Sequence, residues 1–187
     1  MKWVTKSRIH LDRVVTPWLI LRFIDKDAEF LFVSADARPP WPGGAIPFAL
    51  PGAELGKHDD EGSTFRKAMR KYKLDDPALE YMLPIVESGI HQALHEGRAD
   101  EFDVPAVDGI GVNALTQGMM LISTSDAENV ERSMVLYDAL YAYSWTKVMA
   151  SRDPSLAKSN LMERNAALKP LFKGIGADGR NTTEEKT

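Results

Sequence analysis

Apolar and polar positions divide the chain into a β-prone start, an irregular middle and a helical remainder. Lys2 to Thr5 predicts a strand, because its Trp-Val-Thr run is aromatic and β-branched. Pro17 suits a first helical position with Thr16 before it as N-cap, so a helix is expected from Pro17 to Ile24. Asp25 to Ala28 then turns, and Glu29 to Val33 predicts a second strand alternating through Phe30 and Phe32. Residues 37–57 hold Pro39, Pro40, Pro42, Pro47 and Pro51 among several glycines, a density that no helix survives. The regular piece expected there is a short strand from Ala45 to Ala49. Ordered loops of this length either wrap a surface or carry function.

Helical patterning begins at Ser63-Thr64, which caps a segment to about Tyr72. Asp75-Asp76-Pro77 opens another to about His95. Pro105 to about Ser123 predicts a third, weakened by Gly109, Gly111 and Gly118. Ser125-Asp126 caps a long helix to about Met149, with Val130, Met134, Tyr137, Leu140 and Tyr141 along its buried face. One amphipathic segment, Leu156 to Phe172, precedes a polar tail whose last ten residues have nothing apolar to order them. The expected fold is α+β and predominantly helical, with a small β element near the N-terminus packed on a helical bundle. Residues 1–150 are expected to form the domain, with 151–187 as a helical extension and polar tail.

Charge and composition narrow the chemistry. The 187 residues carry a net charge of -4, so no basic surplus points to nucleic acid, although Arg66, Lys67, Arg70, Lys71 and Lys73 cluster locally. There is no cysteine, which removes disulfides, thiolate metal sites and thiol nucleophiles. Any metal would need His, Asp or Glu ligands. No signal-peptide core is present, and the apolar stretch Val14 to Ile24 contains Arg22 and is too short to span a bilayer. A cytoplasmic protein with no membrane partner is expected.

Five constellations could carry chemistry. In His10-Leu-Asp12-Arg13, an extended backbone would point His10 and Asp12 to one side as a metal or acid–base pair. The alternative is that Asp12 and Arg13 make structural ion pairs. Arg22, flanked by Leu21 and Phe23, could hold an anion through two parallel hydrogen bonds, or lie on the surface. The stretch Glu54 to Glu61 sets His58 among carboxylates, a mixture suited to zinc, iron, manganese or nickel, or to a solvated acidic loop. Glu87, His91 and His95 lie four apart along one helical stripe, although paired surface histidines are common. Asp138, inside an apolar helical stretch, needs a partner, and Arg13 or Arg22 in a buried salt bridge would supply it. No glycine-rich phosphate loop, nucleophile elbow or H-E-x-x-H motif occurs.

The run Lys2-Trp-Val-Thr, Asp12-Arg13, Pro17-Trp18-Leu-Ile-x-Arg22-Phe23-Ile24-Asp25 and Ala28-Glu29-Phe30 resembles the opening of the ChrB-type chromate-resistance domain. His58 with Ser63-Thr64-Phe65, and the helix Met134 to Ala142, resemble later parts of the same domain. The resemblance covers residues 2 to about 146. It implies a role in chromate response, regulatory or metal-related, without a defined reaction. It also implies an additional N-terminal portion in full-length members that this sequence does not contain, which weakens the expectation of a DNA-binding regulator. Thr16 and Ser63 stand where the family often has cysteine, so a thiol that senses or reduces chromate is not expected.

These readings combine into one expectation and two rivals. The first is a divalent transition-metal site built from His58, Glu87 and His91, completed by His10, Asp12 or Glu54. Asp12, Arg13 and Arg22 would act beside it, the arginines holding a small-molecule or oxyanion ligand. If the protein is an enzyme, a metal-dependent lyase or hydrolase is expected. The first rival is a metal-free acid/base lyase or isomerase anchored by Arg22. The second is a non-catalytic oxyanion sensor. A homodimer, with the Leu156–Phe172 segment packed on a second subunit, is also compatible with the sequence.

Overall fold

Trp3, Val4 and Thr5 are all fully buried in the first strand, β1 (Lys2–Lys6), so both of its faces are covered. The computed structural model, which describes residues 1–95 and 106–176, explains why. β1 is the central strand of a three-stranded parallel sheet, a setting in which runs of buried residues replace alternation. It pairs with β2 (Glu29–Val33) from Lys2↔Glu29 to Lys6↔Val33, and with β3 (Ile46–Pro47) on its other edge. The expected strand from Ala45 to Ala49 shrinks to those two residues. Pro47 has no N–H for the ladder, and Ala49 turns away at φ 50°.

The first helix is a correction. α1 spans Asp12–Leu19, with Pro17 inside it rather than at its start, and continues as a π-helical turn over Ile20–Ile24. Asp12 is therefore helical rather than extended, and the side-by-side geometry expected for His10 and Asp12 does not form. Burial outweighs the interior proline's cost of about 3 kcal/mol: Val14, Val15, Trp18 and Leu19 are all in the core.

The helices that follow lie close to their expected positions. They are α2 (Thr64–Lys71), α3 (Pro77–Leu94), α4 (Asp108–Ile122) and α5 (Asp126–Arg152). Ser63, Asp76 and Ser125 cap α2, α3 and α5 through their side chains. The expected start of the α4 segment at Pro105 lies outside the described residues. The single segment expected from Leu156 to Phe172 is split. α6 (Pro154–Lys158) and α7 (Leu161–Leu168) are separated where Asn160 opens α7 with a capping box to Glu163. The last ten residues lie outside the described set.

Trp18 ties the layers together. It is fully buried, stacks on Phe65 of α2 at 6.5 Å, and meets Tyr137 and Tyr141 of α5 at 6.2 and 6.1 Å. α3 and α4 cross at glycines. A Cβ on Gly109 would lie 2.6 Å from the Ile85 carbonyl oxygen, and one on Gly89 would lie 3.0 Å from that of Gly109. Leu168 of α7 joins the same core, beside Phe172 and Trp145. Among the described residues no helix is long and apolar enough to cross a membrane.

Candidate functional site

The candidate residues gather at the N-terminal end of α2. A helix start leaves backbone N–H groups without intrahelical partners and carries partial positive charge. Here those donors are answered by side chains of α1 and α3 and by the helix's own cap, Ser63. The Thr64 and Phe65 N–H groups donate to Oδ2 and Oδ1 of Asp12 at 2.8 and 3.1 Å. The Arg66 N–H donates to Ser63 Oγ at 3.1 Å, and the Ser63 N–H donates to Glu87 Oε1 at 3.2 Å. Asp12 is buried, and burial pushes its carboxyl above the ordinary aspartate range despite the two backbone donors. The Tyr137 hydroxyl lies in the same region, buried without a hydrogen-bond partner among the described residues.

Glu87 is held from three directions. Arg66 donates to both of its oxygens, from Nε at 2.7 Å and from Nη2, and the Ser63 hydroxyl donates at 3.0 Å. Burial alone would raise the Glu87 carboxyl. Arg66 and Ser63 more than offset that, so it sits below the usual glutamate range.

Three imidazoles stand beside these carboxylates. His91, in the last turn of α3, and His95, just past its end, have ring centroids 4.3 Å apart. The His95 Nδ1 lies 2.7 Å from the His91 carbonyl oxygen, to which an Nδ1–H donates. His58 lies in the loop before α2, within electrostatic reach of Asp12, Asp59 and His91. Its Nδ1 is buried with no hydrogen-bond partner among the described residues. Burial and the neighbouring His95 and His58 hold His91 below the usual histidine value, which favours the neutral ring.

The remaining expected residues are engaged elsewhere. His10 Nε2 lies 3.3 Å from Thr116 Oγ1 of α4. Glu54 pairs with Lys71 at 2.6 Å. Arg13 donates to the carbonyls of Lys6, Ser7 and Arg8 at 3.1–3.3 Å, and so fastens the end of β1. Arg22 donates to both oxygens of Asp138, at 2.9 and 2.7 Å, and the Trp18 indole N–H joins them at 2.8 Å. Of the two partners expected for Asp138, Arg22 is the one present. The structure thus brings together Asp12, His58, Glu87 and His91, and leaves His10, Glu54, Arg13 and Arg22 in separate interactions. Among the described residues, no group of three or more His, Asp or Glu side chains is arranged to hold a metal ion. The part played by Arg66 in holding Glu87 was not foreseen. The two are 21 positions apart on different helices, and no periodicity links them.

The sequence model described as ChrB, C-terminal domain, matches residues 3–144. Protein ChrB of Cupriavidus metallidurans is 25% identical over 146 residues, a match covering 76% of this chain and 40% of that longer protein. No solved structure matches. With the family's domain spanning most of its length, from the central strand through the long helix α5, the chain belongs to the ChrB family of chromate-resistance proteins.

Proposed function

We propose that this domain is the ligand-binding part of a chromate-response protein. In this reading it takes a divalent transition metal beside His58 and His91. The carrying observation is the buried His58 Nδ1 with no partner among the described residues. An unsatisfied buried polar atom costs roughly 1–3 kcal/mol, and a ligand that accepts its lone pair removes that cost. The lowered pKa of His91 supports the same reading, because only neutral imidazole ligates. The side chains are not gathered into a ready-made set of three, so water or an oxyanion would fill further positions. A metal there would supply Lewis-acid polarisation of a bound oxygen ligand. Metal analysis of protein purified without chelator, with thermal shifts on adding zinc, nickel, manganese or ferrous iron, tests the proposal. The expected result is a shift lost in His58→Ala and His91→Ala and kept in Glu54→Ala. No bound metal and no shift would overturn it.

One observation favours a second reading, a non-catalytic oxyanion sensor. A cavity of about 390 Å³ along α2 and the turn after it is lined by Arg66, Arg70 and Lys73, with Asp75 and Glu80 also in its lining. Thermal stabilisation by chromate, sulfate or phosphate that disappears in Arg70→Glu, without turnover, supports that reading. Equal response of both proteins rejects it.

A further inference from the structure

We infer that α4 is a homodimer interface, the outer face of the helix packing against the same face of a second copy of this chain. One side of α4 is accounted for: Gly109, Val112, Asn113 and Thr116 are buried, and Gly109 sits against α3. The opposite side is apolar and, among the described residues, open. Val107 just before the helix is 74% exposed, followed by Ile110 at 40%, Leu115 at 53%, Leu121 at 82% and Ile122 at 58%. At 3.6 residues per turn these positions fall on one side of the helix, with Gly111, Ala114 and Gly118 between them. Soluble helices put charge on such a face, yet none lies between Gly109 and Ile122.

Three features select a second copy as the occupant. The five large side chains leave on the order of 500 Å² of apolar surface open, toward the upper end of the largest patch a monomer ordinarily shows. Two such faces together remove about 1,000 Å² from water, the threshold for a specific interface. A two-fold interface sets the same residues against each other, and a charge-free face does so without opposing like charges. Finally, a Cβ at Gly111 or Gly118 would meet nothing among the described residues within 4 Å, so a partner helix can approach closely over both positions.

The test uses the full chain. Sedimentation of the wild-type protein across micromolar concentrations should give twice the 20.8 kDa monomer mass. Leu115→Glu with Leu121→Glu should weaken association at least tenfold and leave the far-ultraviolet circular dichroism unchanged. Because the chain has no cysteine, Gly118→Cys supplies a clean second measurement. It should form a disulfide-linked dimer under mild oxidation, whereas Lys158→Cys on α6 should not. A wild-type monomer throughout, a dimer indifferent to the glutamates, or equal cross-linking at both cysteine positions would each overturn the inference.

Discussion

Removing the Asp138 carboxylate separates a structural role for Arg22 from a ligand-anchoring one. Asp138 accepts three hydrogen bonds, two from Arg22 and one from the indole of Trp18, which is fully buried. Asp138→Ala strands that indole N–H, at a cost of about 1–3 kcal/mol. Arg22 is 35% exposed at its side chain and can recover water, so its loss adds only about 1 kcal/mol. The expected total is roughly 2–4 kcal/mol, or a fall in Tm of about 4–16 °C for a chain of this size. Asp138→Asn keeps an acceptor for Trp18 and should cost about 1 kcal/mol. In a double-mutant cycle with Arg22→Met, urea unfolding followed by tryptophan fluorescence should give a coupling of about 1 kcal/mol. A coupling near zero, with Asp138→Ala as stable as wild type, would refute the assignment and return Arg22 to the pool of anion anchors.

Gly109→Ala should destabilise by about 1–3 kcal/mol, since the backbone clash with Ile85 outweighs the roughly 1 kcal/mol that alanine gains in helix propensity. In the monomer, Gly111→Ala, whose Cβ meets nothing among the described residues, should keep that gain, and equal Tm values for the two variants would refute the argument. Glu87→Gln should cost about 1–2 kcal/mol at pH 7 by weakening the contacts with Arg66 and Ser63. The folded pKa of Glu87 is lowered, so its contribution is complete above the ordinary glutamate range and fades as pH falls through the lower folded value. The gap between the two proteins in urea titrations should therefore close below about pH 4, and a gap independent of pH would contradict the ion pair.

Much of the fold was legible because its signals are local. Ser63, Asp76 and Ser125 announce helix starts by their own side chains, and Glu29 to Val33 announces a strand by composition. Pro17 misled because its local preference for a first turn is worth less than burying the apolar residues around it. The pairing of Asp138 with Arg22 was foreseeable, since an acid in an apolar stretch demands a cation. Which of two arginines would answer was not, because that depends on how α1 and α5 cross.

The candidate site shows a sharper division. Residue type singled out Asp12, His58, Glu87 and His91, which lie around one helix start, and equally His10, Glu54, Arg13 and Arg22, which lie elsewhere. The roles of the first four separate by what that start requires. The first N–H groups of α2 need strong, permanent acceptors, and carboxylates meet that need far better than neutral imidazoles. Asp12 and Glu87 are accordingly drawn into capping α2, with Arg66 and Ser63 securing Glu87. The imidazoles are left beside them, with the His58 Nδ1 unanswered among the described residues. If a metal binds there, its protein donors are nitrogens and the hard oxygen ligands are already engaged. Such a donor set favours zinc or nickel over manganese. The order of thermal shifts among those ions therefore tests whether the carboxylates stay with the helix: a preference for manganese would mean that Asp12 or Glu87 leaves α2 to bind the ion.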